Sequence, residues 1–287
     1  MTAPIVVGTD GSTCADRAVE WACDEAALRD RPLHIVHAVE PAPYSYPLLV
    51  APEMGKSLAE AGQRILTAAE KTANARQAGI AVTTELVANT TGPALVDQSA
   101  RAFELVLGHR GLGGFKSLLL GSVGLWMAGH ADGPVVVVRG DAVPEAGEIV
   151  VGLGFAEDPA EVLGYAFEVA SLRGATLRIV HAWQEPAILV ATGYSLDFDK
   201  VAEEVRERSA RAQAPWRERY PDVQVIEDIV QGHPVTALCE ASRRAALVVV
   251  GTHDHKWFEV PRLGSVSHGV LHHAHCPVAV ARSHEQA

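Results

Sequence analysis

Short runs of β-branched and other apolar residues alternate along the chain with longer segments whose apolar residues recur at helical spacing. In the first half, the strand-like runs are Ile5-Val6-Val7, residues 33–39, residues 80–87, a run ending at Gly108, and residues 134–138. The segments between them predict four helices: one that begins after Ser12, one from about 53 to 77, a short one that has Pro93 in its first turn and runs to about 102, and one that begins at Gly121. Strands that alternate with helices predict parallel βαβ units, and therefore a Rossmann-like, doubly wound α/β sheet.

The whole pattern occurs twice. IVVG at Ile5 recurs at Ile149, an offset of 149 − 5 = 144, and GSV at Gly121 recurs at Gly264, an offset of 264 − 121 = 143. Because the offset changes by only one residue, we predict two tandem copies of one domain, each with a five-stranded parallel sheet. The strands of the second copy are expected near Ile149, Leu177, Val223, Leu247 and Val278. Residues 140–147 have the composition of a linker, which places the domains at residues 1–140 and 148–287.

A glycine-rich loop follows the fourth strand of the first copy. Residues 108–123 read GHRGLGGFKSLLLGSV, with a predicted strand end at Gly108 and a predicted helix start at Gly121. Glycines let backbone amides approach a ligand closely, and a helix start offers unpaired N–H groups and the positive end of a dipole. The stretch therefore predicts a cradle for an anion, with a nucleotide phosphate as the best candidate. A loop that only turns the chain is the alternative.

An acidic residue is predicted on the same rim of the sheet. Ligands of open α/β sheets bind outside the carboxyl ends of the strands. Asp10 and Gly108 each follow a predicted strand, the first and the fourth. We therefore interpret Asp10 as a ligand contact, against the alternative that it is a turn residue or a helix cap.

Composition narrows the class of protein. The 287-residue chain is 48% hydrophobic and 21% charged, and its net charge of −11 argues against a nucleic-acid binder, which needs clustered Lys and Arg. The N-terminus lacks the pattern of a signal peptide, and the apolar run at 117–129 is too short to span a bilayer. Four scattered cysteines suit a reducing compartment. We expect a cytoplasmic protein with neither membrane nor nucleic-acid partners.

The chain resembles a tandem universal stress protein of the mycobacterial, actinobacterial type. The first copy carries that family's G-x-x-G-x(9)-G-[ST] phosphate pattern as Gly108, Gly111, Gly121 and Ser122, with Asp10 after the first strand. The resemblance extends over essentially all 287 residues. It implies two domains of the adenine nucleotide α-hydrolase-like type, with ATP, alone or with Mg²⁺, as the ligand.

By this resemblance, ATP lies between the first and fourth strands of the first copy. Gly8, Thr9 and the backbone near Ala38 would line the base pocket, and Asp10 would contact the adenosine. The residues implied near the ribose and phosphates are Gly108, His109, Arg110, Gly111, Gly114, Gly121, Ser122 and Val123.

Three further polar residues of the first copy are interpreted from their chemistry. Arg110 can pair with a phosphate, whereas Lys116 is better explained as a solvated loop charge. His37 corresponds to His181 in the second copy, since 37 + 144 = 181. We expect this histidine to be packed and hydrogen-bonded rather than catalytic.

The second copy departs from the phosphate pattern. Its retained residues are Gly152, Gly251, Gly264, Ser265 and Val266. Asp10 is replaced by Gly154 (10 + 144 = 154), and Gly111 is replaced by Asp254 (111 + 143 = 254). A carboxylate repels a polyphosphate, and a residue with a Cβ is hindered where a glycine's backbone conformation is needed. Nearby cationic candidates offset part of this charge: His253, His255, Lys256 and Arg262. We nevertheless expect a weaker nucleotide site.

Histidines are concentrated in the second copy. They are His253, His255, His268, His272, His273 and His275, and Cys276 follows them. Histidine and cysteine bind metals, and His268 and His272 would share one helix face. However, the spacing matches no metal motif, and His130 of the first copy corresponds to His273. We predict no metal site.

The leading functional hypothesis is an ATP-binding regulatory protein of the stress response. A slow ATPase or a nucleotidyl-transfer enzyme is an alternative, but the chain shows no Walker A lysine, no carboxylate cluster for Mg²⁺ and no Cys-His or Ser-His-Asp arrangement. We therefore expect no enzyme. A nucleotide-independent interaction module with a vestigial site is a third alternative, and flavodoxin-like electron transfer, suggested by fold alone, is a weaker one.

The predicted edge strands of the two sheets bear on the oligomeric state. The fifth strand of each copy is an expected edge, and exposed edges tend to be paired or covered. Together with the resemblance, this predicts a homodimer formed through the fifth strands, with other protein partners unknown.

Overall fold

The structure, a computed structural model, describes residues 2–40, 52–112, 119–140, 147–155, 158–184, 197–252 and 263–282. The chain divides into two compact units. The first unit is built chiefly from residues 1–139, and the second from residues 140–253 and 264–282. Residues 141–146 lie outside the described ranges, so the domain bounds 1–140 and 148–287 stay a prediction.

Strands and helices alternate in the first unit. Its strands are β1 (Ile5–Gly8), β2 (Leu33–Ala38), β3 (Val82–Val87), β4 (Glu104–Gly108) and β5 (Val135–Val138). Its helices are α1 (Thr13–Leu28), α2 (Pro52–Arg76), α3 (Thr91–Ser99) and α4 (Ser122–His130). The strand order is β3-β2-β1-β4-β5, and these neighbours pair in parallel. The order reverses between β1 and β4, which is the topological switch point.

The second unit repeats this plan. Its strands are β6 (Glu148–Gly152), β7 (Leu177–Trp183), β8 (Val225–Gln231), β9 (Ala245–Gly251) and β10 (Val278–Ala281). Its helices are α5 (Ala160–Arg173), α6 (Phe198–Arg219), α7 (Pro234–Ala241) and α8 (Ser265–His273). The strand order β8-β7-β6-β9-β10 is again parallel, with the switch point between β6 and β9.

Helices cover both faces of each sheet, which explains the uninterrupted apolar strands. In the first unit α1 packs against α2, and α3 packs against α4. Between these two layers Ile5, Val7 and Leu105 have no exposed surface. The predicted α/β class, with two tandem Rossmann-like parallel sheets, is confirmed.

Some element bounds differ from the prediction. Helix α3 ends at Ser99 rather than near residue 102, and it begins at Thr91, so Pro93 lies in its first turn as predicted. A proline is tolerated there because first-turn N–H groups have no partner within the helix. Helix α4 begins at Ser122, with Gly121 as its N-cap. The loop predicted at 41–47 lies outside the described residues. None of the helices in the described ranges is both long and apolar enough to cross a lipid bilayer.

Candidate functional site

A cavity of ≈ 480 Å³ lies at the carboxyl ends of β1, β2 and β4, at the switch point of the first unit. The end of β1 contributes Gly8, Thr9 and Asp10, and the end of β2 contributes Val36, His37 and Ala38. The loop after β4 contributes Gly108, Arg110 and Gly111, and the start of α4 contributes residues 121–124. The fold thus brings ten of the twelve predicted first-copy residues to one cavity. The other two are His109, which is not in the lining, and Gly114, which lies outside the described residues.

Asp10 joins the two loops that border this cavity. Its Oδ1 accepts a hydrogen bond from the Ser12 N–H at 3.0 Å, and its Oδ2 accepts one from the Leu112 N–H at 2.7 Å. The turn role left open by the sequence is therefore present in the structure. Each carboxylate oxygen has a second lone pair, so Asp10 keeps acceptor capacity toward the cavity.

The carboxylate of Asp10 occupies the space that a side chain at position 111 would need. A Cβ built at Gly111 would collide with Asp10 Oδ2, so a side chain there must displace the carboxylate. Gly111 is not one of the glycines with a positive φ. The predicted reason, a backbone conformation reserved for glycine, is therefore wrong at this position, and the contact with Asp10 takes its place.

Gly108 has a packing role. A Cβ there would lie 2.7 Å from the carbonyl oxygen of Cys14 and 3.0 Å from the nitrogen of Ala15. These are backbone atoms of the first turn of α1, which have little freedom to move aside. The missing side chain therefore lets the end of β4 lie against α1, in addition to any closer approach by a ligand.

The start of α4 presents backbone amides to the cavity. Its N-cap, Gly121, makes no side-chain capping bond, whereas Ser12 at the N-cap of α1 accepts from the Ala15 N–H. Residues 121–124 all line the cavity. Because no described side chain caps α4, its first-turn N–H groups and the positive end of its dipole are available to an anion.

Arg110 lines the cavity and is hydrogen-bonded to His109, which is not in the described lining. Arg110 Nε donates to His109 Nε2 at 3.1 Å, and His109 Nδ1 lies 3.2 Å from the carbonyl oxygen of Val138. A carbonyl only accepts, so Nδ1 carries the proton and the ring is neutral. Burial lowers the pKa of His109; the hydrogen bond to Val138 opposes this effect, and the charge of Arg110 adds to it. His109 is thus a positioning residue for Arg110.

The structure also reveals a cysteine–histidine contact that the sequence did not indicate. Cys14 Sγ lies 3.9 Å from His109 Nε2. The two residues are 95 positions apart, and they meet only because α1 packs against the end of β4. Arg110 already donates to the same ring nitrogen, and Cys14 is absent from the described cavity lining. The contact is therefore a packing feature beside the site.

One histidine organises the corresponding turn in each unit. His37 Nδ1 lies 2.7 Å from the carbonyl oxygen of Thr9, and His181 Nδ1 lies 2.8 Å from that of Leu153. Both rings donate to the turn that follows the first strand of their unit. The predicted packed and hydrogen-bonded role agrees with this geometry.

The second unit has a smaller cavity of ≈ 210 Å³ at the ends of β6, β7 and β9. Of the predicted second-copy residues, Gly152, Gly251 and Val266 line it. Gly264 and Ser265, at the start of α8, are not part of its described lining. The described lining of this cavity therefore includes the second and third residues of α8, Val266 and Ser267, but not its N-cap or its first residue.

Side-chain exchanges at four described lining positions contribute to the difference in size and polarity. The exchanged lining positions are Thr9 to Leu153, Ala15 to Pro159, Thr91 to Pro234 and Gly124 to Ser267. Each replacement adds bulk or removes a hydrogen-bonding group. Gly154, at the position of Asp10, contributes no carboxylate.

Several predicted residues fall outside the described part of the chain. They are Gly114, Lys116, His253, Asp254, His255, Lys256 and Arg262. Of the remaining histidines, His268 and His272 pack with ring centroids 4.7 Å apart on α8. Within the described ranges, no three His, Cys, Asp or Glu side chains converge as metal ligands would.

Sequence reasoning missed six lining residues of the first cavity. They are Ala15, Val36, Thr91, Leu95, Leu107 and Gly124. Comparing the two copies could have exposed Gly124, because it follows the shared GSV triplet and is replaced by Ser267. The others belong to helices and strands whose sequences do not mark them as site residues, and only the tertiary fold brings them to the cavity.

Fold and site together define a tandem protein of two Rossmann-like domains, each with a cavity at its switch point. The chain belongs to the universal stress protein family, whose sequence model matches residues 1–139 and 146–282. It is 37% identical over 286 residues to the universal stress protein Rv2005c of Mycobacterium tuberculosis, with 97% of this chain and 96% of the relative covered. A universal stress protein of Mycolicibacterium smegmatis is 35% identical over 287 residues with the same coverage.

A solved structure shares the fold over the full length. The crystal structure of a universal stress protein from Archaeoglobus fulgidus matches with a TM-score of 0.72 and 21% identity, covering 98% of this chain and 99% of that one. The predicted resemblance to tandem, mycobacterial-type members of the family is therefore confirmed.

Proposed function

We propose that the first unit binds ATP in its ≈ 480 Å³ cavity and that the bound nucleotide serves regulation in a stress response. One observation carries this proposal. The same cavity contains the start of a helix without a side-chain cap and a partly apolar pocket between strand ends. The volume falls within the range of about 300–1,000 Å³ that is typical of small-molecule sites.

The phosphates would bind at the start of α4. The amides of residues 121–124 and the guanidinium of Arg110 border the same end of the cavity. Ser122 Oγ makes no hydrogen bond to the rest of the described chain, so its hydroxyl is available as a further donor. Backbone amides at a helix start combined with an arginine favour a polyanion.

The nucleoside would bind toward β1 and β2. Val36, Ala38, Leu95 and Leu107 supply apolar walls for a purine ring. Asp10, with its remaining lone pairs, can accept hydrogen bonds from ribose hydroxyls or from an amino group. These polar and apolar ends match the two ends of ATP.

A Mg²⁺ ion would depend mainly on the nucleotide for its ligands. Asp10 is the single carboxylate among the described residues that line the cavity, and both its oxygens already accept backbone N–H groups. Mg²⁺ prefers oxygen ligands in an octahedral arrangement, and in nucleotide sites phosphate oxygens and water provide many of them. Such a site supports binding better than fast phosphoryl transfer, which needs a metal held firmly in place.

The test is a titration of a fluorescent ATP analogue, with bound nucleotide extracted from the purified protein as a second measure. We expect one site per chain. Gly124→Ser, which imports the residue of the second unit, should weaken binding about tenfold, or about 1.4 kcal/mol, by narrowing the cavity. A Cβ at Gly124 meets its nearest atom at 3.6 Å, so the fold should tolerate the change.

The matched control is Ser267→Gly in the second unit, which should leave ATP affinity unchanged. Arg110→Gln should weaken binding of ATP more than binding of adenosine, because the arginine acts on the phosphates. Absence of binding, or equal binding by the wild type, Gly124→Ser and Arg110→Gln, would refute the site. Phosphate release in the same samples tests the alternative of a slow ATPase.

The proposed homodimer needs its own measurement. Light scattering across a range of concentrations should give twice the chain mass of 30.5 kDa. A constant mass equal to a single chain would contradict the dimer.

A further inference from the structure

The second unit keeps an open cavity although it has lost much of the phosphate pattern. Its volume is ≈ 210 Å³, at the ends of β6, β7 and β9. For comparison, an engineered cavity of about 150 Å³ with apolar walls binds benzene. The second cavity is therefore large enough for one ring or two fused rings, and its volume lies below the range of about 300–1,000 Å³ typical of sites for drug-sized ligands.

The described part of this cavity offers fewer groups for a phosphate than the first cavity does. Its described lining contains no Lys or Arg, and from the start of α8 it includes Val266 and Ser267 but not Gly264 or Ser265. Burial lowers the pKa of His181, the one histidine in that lining, so its ring is neutral at pH 7; the hydrogen bond to Leu153 opposes this effect. Asp158 adds a carboxylate, whose Oδ1 accepts from the Ala160 N–H at 3.0 Å. Among the described residues, an anion would thus find fewer compensating partners here than in the first cavity.

Of the four polar side chains in the described lining, Asp158, His181 and Ser267 are hydrogen-bonded to the protein, and Thr252 is the fourth. Ser267 Oγ donates to the Gly251 carbonyl at 2.6 Å, and His181 Nδ1 donates to the Leu153 carbonyl at 2.8 Å. In the first unit, by contrast, Gly124 has no side chain at the position of Ser267, and the cavity continues to the start of α4. Most of the polar side chains that line the second cavity are therefore already hydrogen-bonded, and a ligand would meet them mainly through van der Waals contact.

The remaining walls are aliphatic. Leu153, Val162, Val180 and Leu238 face the space, together with Pro234. Leu153 and Pro234 stand where the first unit has Thr9 and Thr91. Covering such walls with an apolar molecule removes hydrocarbon from water at both surfaces, which favours binding.

We infer that the second cavity is a binding site for a small, uncharged, largely apolar ring compound of one or two rings. The tandem chain then holds two sites of different chemistry on one repeated backbone plan. This inference rests on residues of the second unit alone, so it stands or falls separately from ATP binding in the first.

Indole is the probe, because it is uncharged and consists of two fused rings. Its binding is measured by calorimetry on the full chain and on two matched variants. Ala182→Leu places a larger side chain in the second cavity, and Ala38→Leu makes the same change at the corresponding position of the first. We expect one indole per chain in the wild type, at least about a tenfold loss of affinity in Ala182→Leu from overfilling of the cavity, and retained binding in Ala38→Leu.

The ATP analogue is titrated into the same three proteins, and the opposite pattern is expected, with loss in Ala38→Leu and retention in Ala182→Leu. Failure of indole to bind, or equal indole binding by Ala182→Leu and the wild type, would overturn the inference while leaving the ATP site untouched. Displacement of indole by ATP in Ala38→Leu would also overturn it, because the second cavity would then take nucleotide. Ala182→Val provides a smaller step if the leucine variant does not fold.

Discussion

The two units place the same elements around their cavities and close them with different side chains. His37 and His181 hold the turn after the first strand with nearly equal bonds, 2.7 and 2.8 Å long. The cavities nevertheless measure ≈ 480 and ≈ 210 Å³, and only the first has the N-cap and the first residue of its last helix in its described lining. The parallel sheet thus determines where a ligand can bind, and a few residues at its rim determine which ligand fits.

The largest expected contrast concerns the glycine that ends the fourth strand of each unit. A Cβ at Gly108 would meet the Cys14 carbonyl oxygen at 2.7 Å, whereas a Cβ at Gly251 would meet a methyl group of Val162 at 2.8 Å. A backbone atom cannot rotate away, but a valine side chain can shift. Gly108→Ala should therefore lower the free energy of unfolding by about 3 kcal/mol, and Gly251→Ala by about 1 kcal/mol.

Urea unfolding of both variants, followed by circular dichroism, measures this difference. Equal losses would show that the two strand ends pack alike and that our comparison of the units is wrong at this point.

A smaller effect is expected from the contact between Gly111 and Asp10. Gly111→Ala should cost about 1–2 kcal/mol, because the new Cβ displaces the carboxylate from the N–H groups of Ser12 and Leu112. In an Asp10→Gly background, which reproduces the residue at Gly154, the same substitution should cost less than about 0.5 kcal/mol. A double-mutant cycle in urea measures the coupling, and additive costs would contradict the collision.

The smallest expected effect is on how the free energy of unfolding changes as the pH is lowered. Burial lowers the pKa of His181 below its ordinary value of 6.5, with the Leu153 hydrogen bond opposing it. The unfolded chain then binds a proton at a higher pH than the folded chain, so the free energy of unfolding falls as the pH drops through about 6.5. His181→Asn, whose amide can donate to Leu153 while not titrating, should reduce that slope in urea unfolding between pH 7.5 and 5.5. An unchanged slope would exclude His181 as its source.

Local patterns in the sequence were sufficient to predict the order of elements. The strand ends at Gly8 and Gly108 and the helix start at Gly121 follow from apolar runs and glycine positions within a few residues. The repeat added the tandem architecture, because two copies of one pattern imply two similar sheets. The predicted rim shared by Asp10 and Gly108 followed from the rule for parallel strands.

Contacts between distant segments could not be predicted in this way. The bond from the Leu112 N–H to Asp10 joins residues 102 positions apart, and the packing of Gly108 on Cys14 depends on how α1 lies across the sheet. Likewise, Leu95 and Leu107 have the pattern of ordinary core residues, and only the fold shows that they border a cavity. Sequence patterns gave the types of residue at the site, and tertiary packing decided which atoms meet.

The contact between Asp10 and Gly111 also constrains the path by which the two copies diverged. In the geometry of the first unit, a side chain at position 111 collides with the carboxylate of Asp10, and the second copy has Gly154 and Asp254 at these two positions. If the duplicated ancestor resembled the first unit, losing the carboxylate before gaining a side chain in the loop avoids the collision. The reverse order passes through a variant that we expect to be less stable by about 1–2 kcal/mol. By the same argument, restoring the first-unit residues in the second copy meets the lower cost with Asp254→Gly first and Gly154→Asp second.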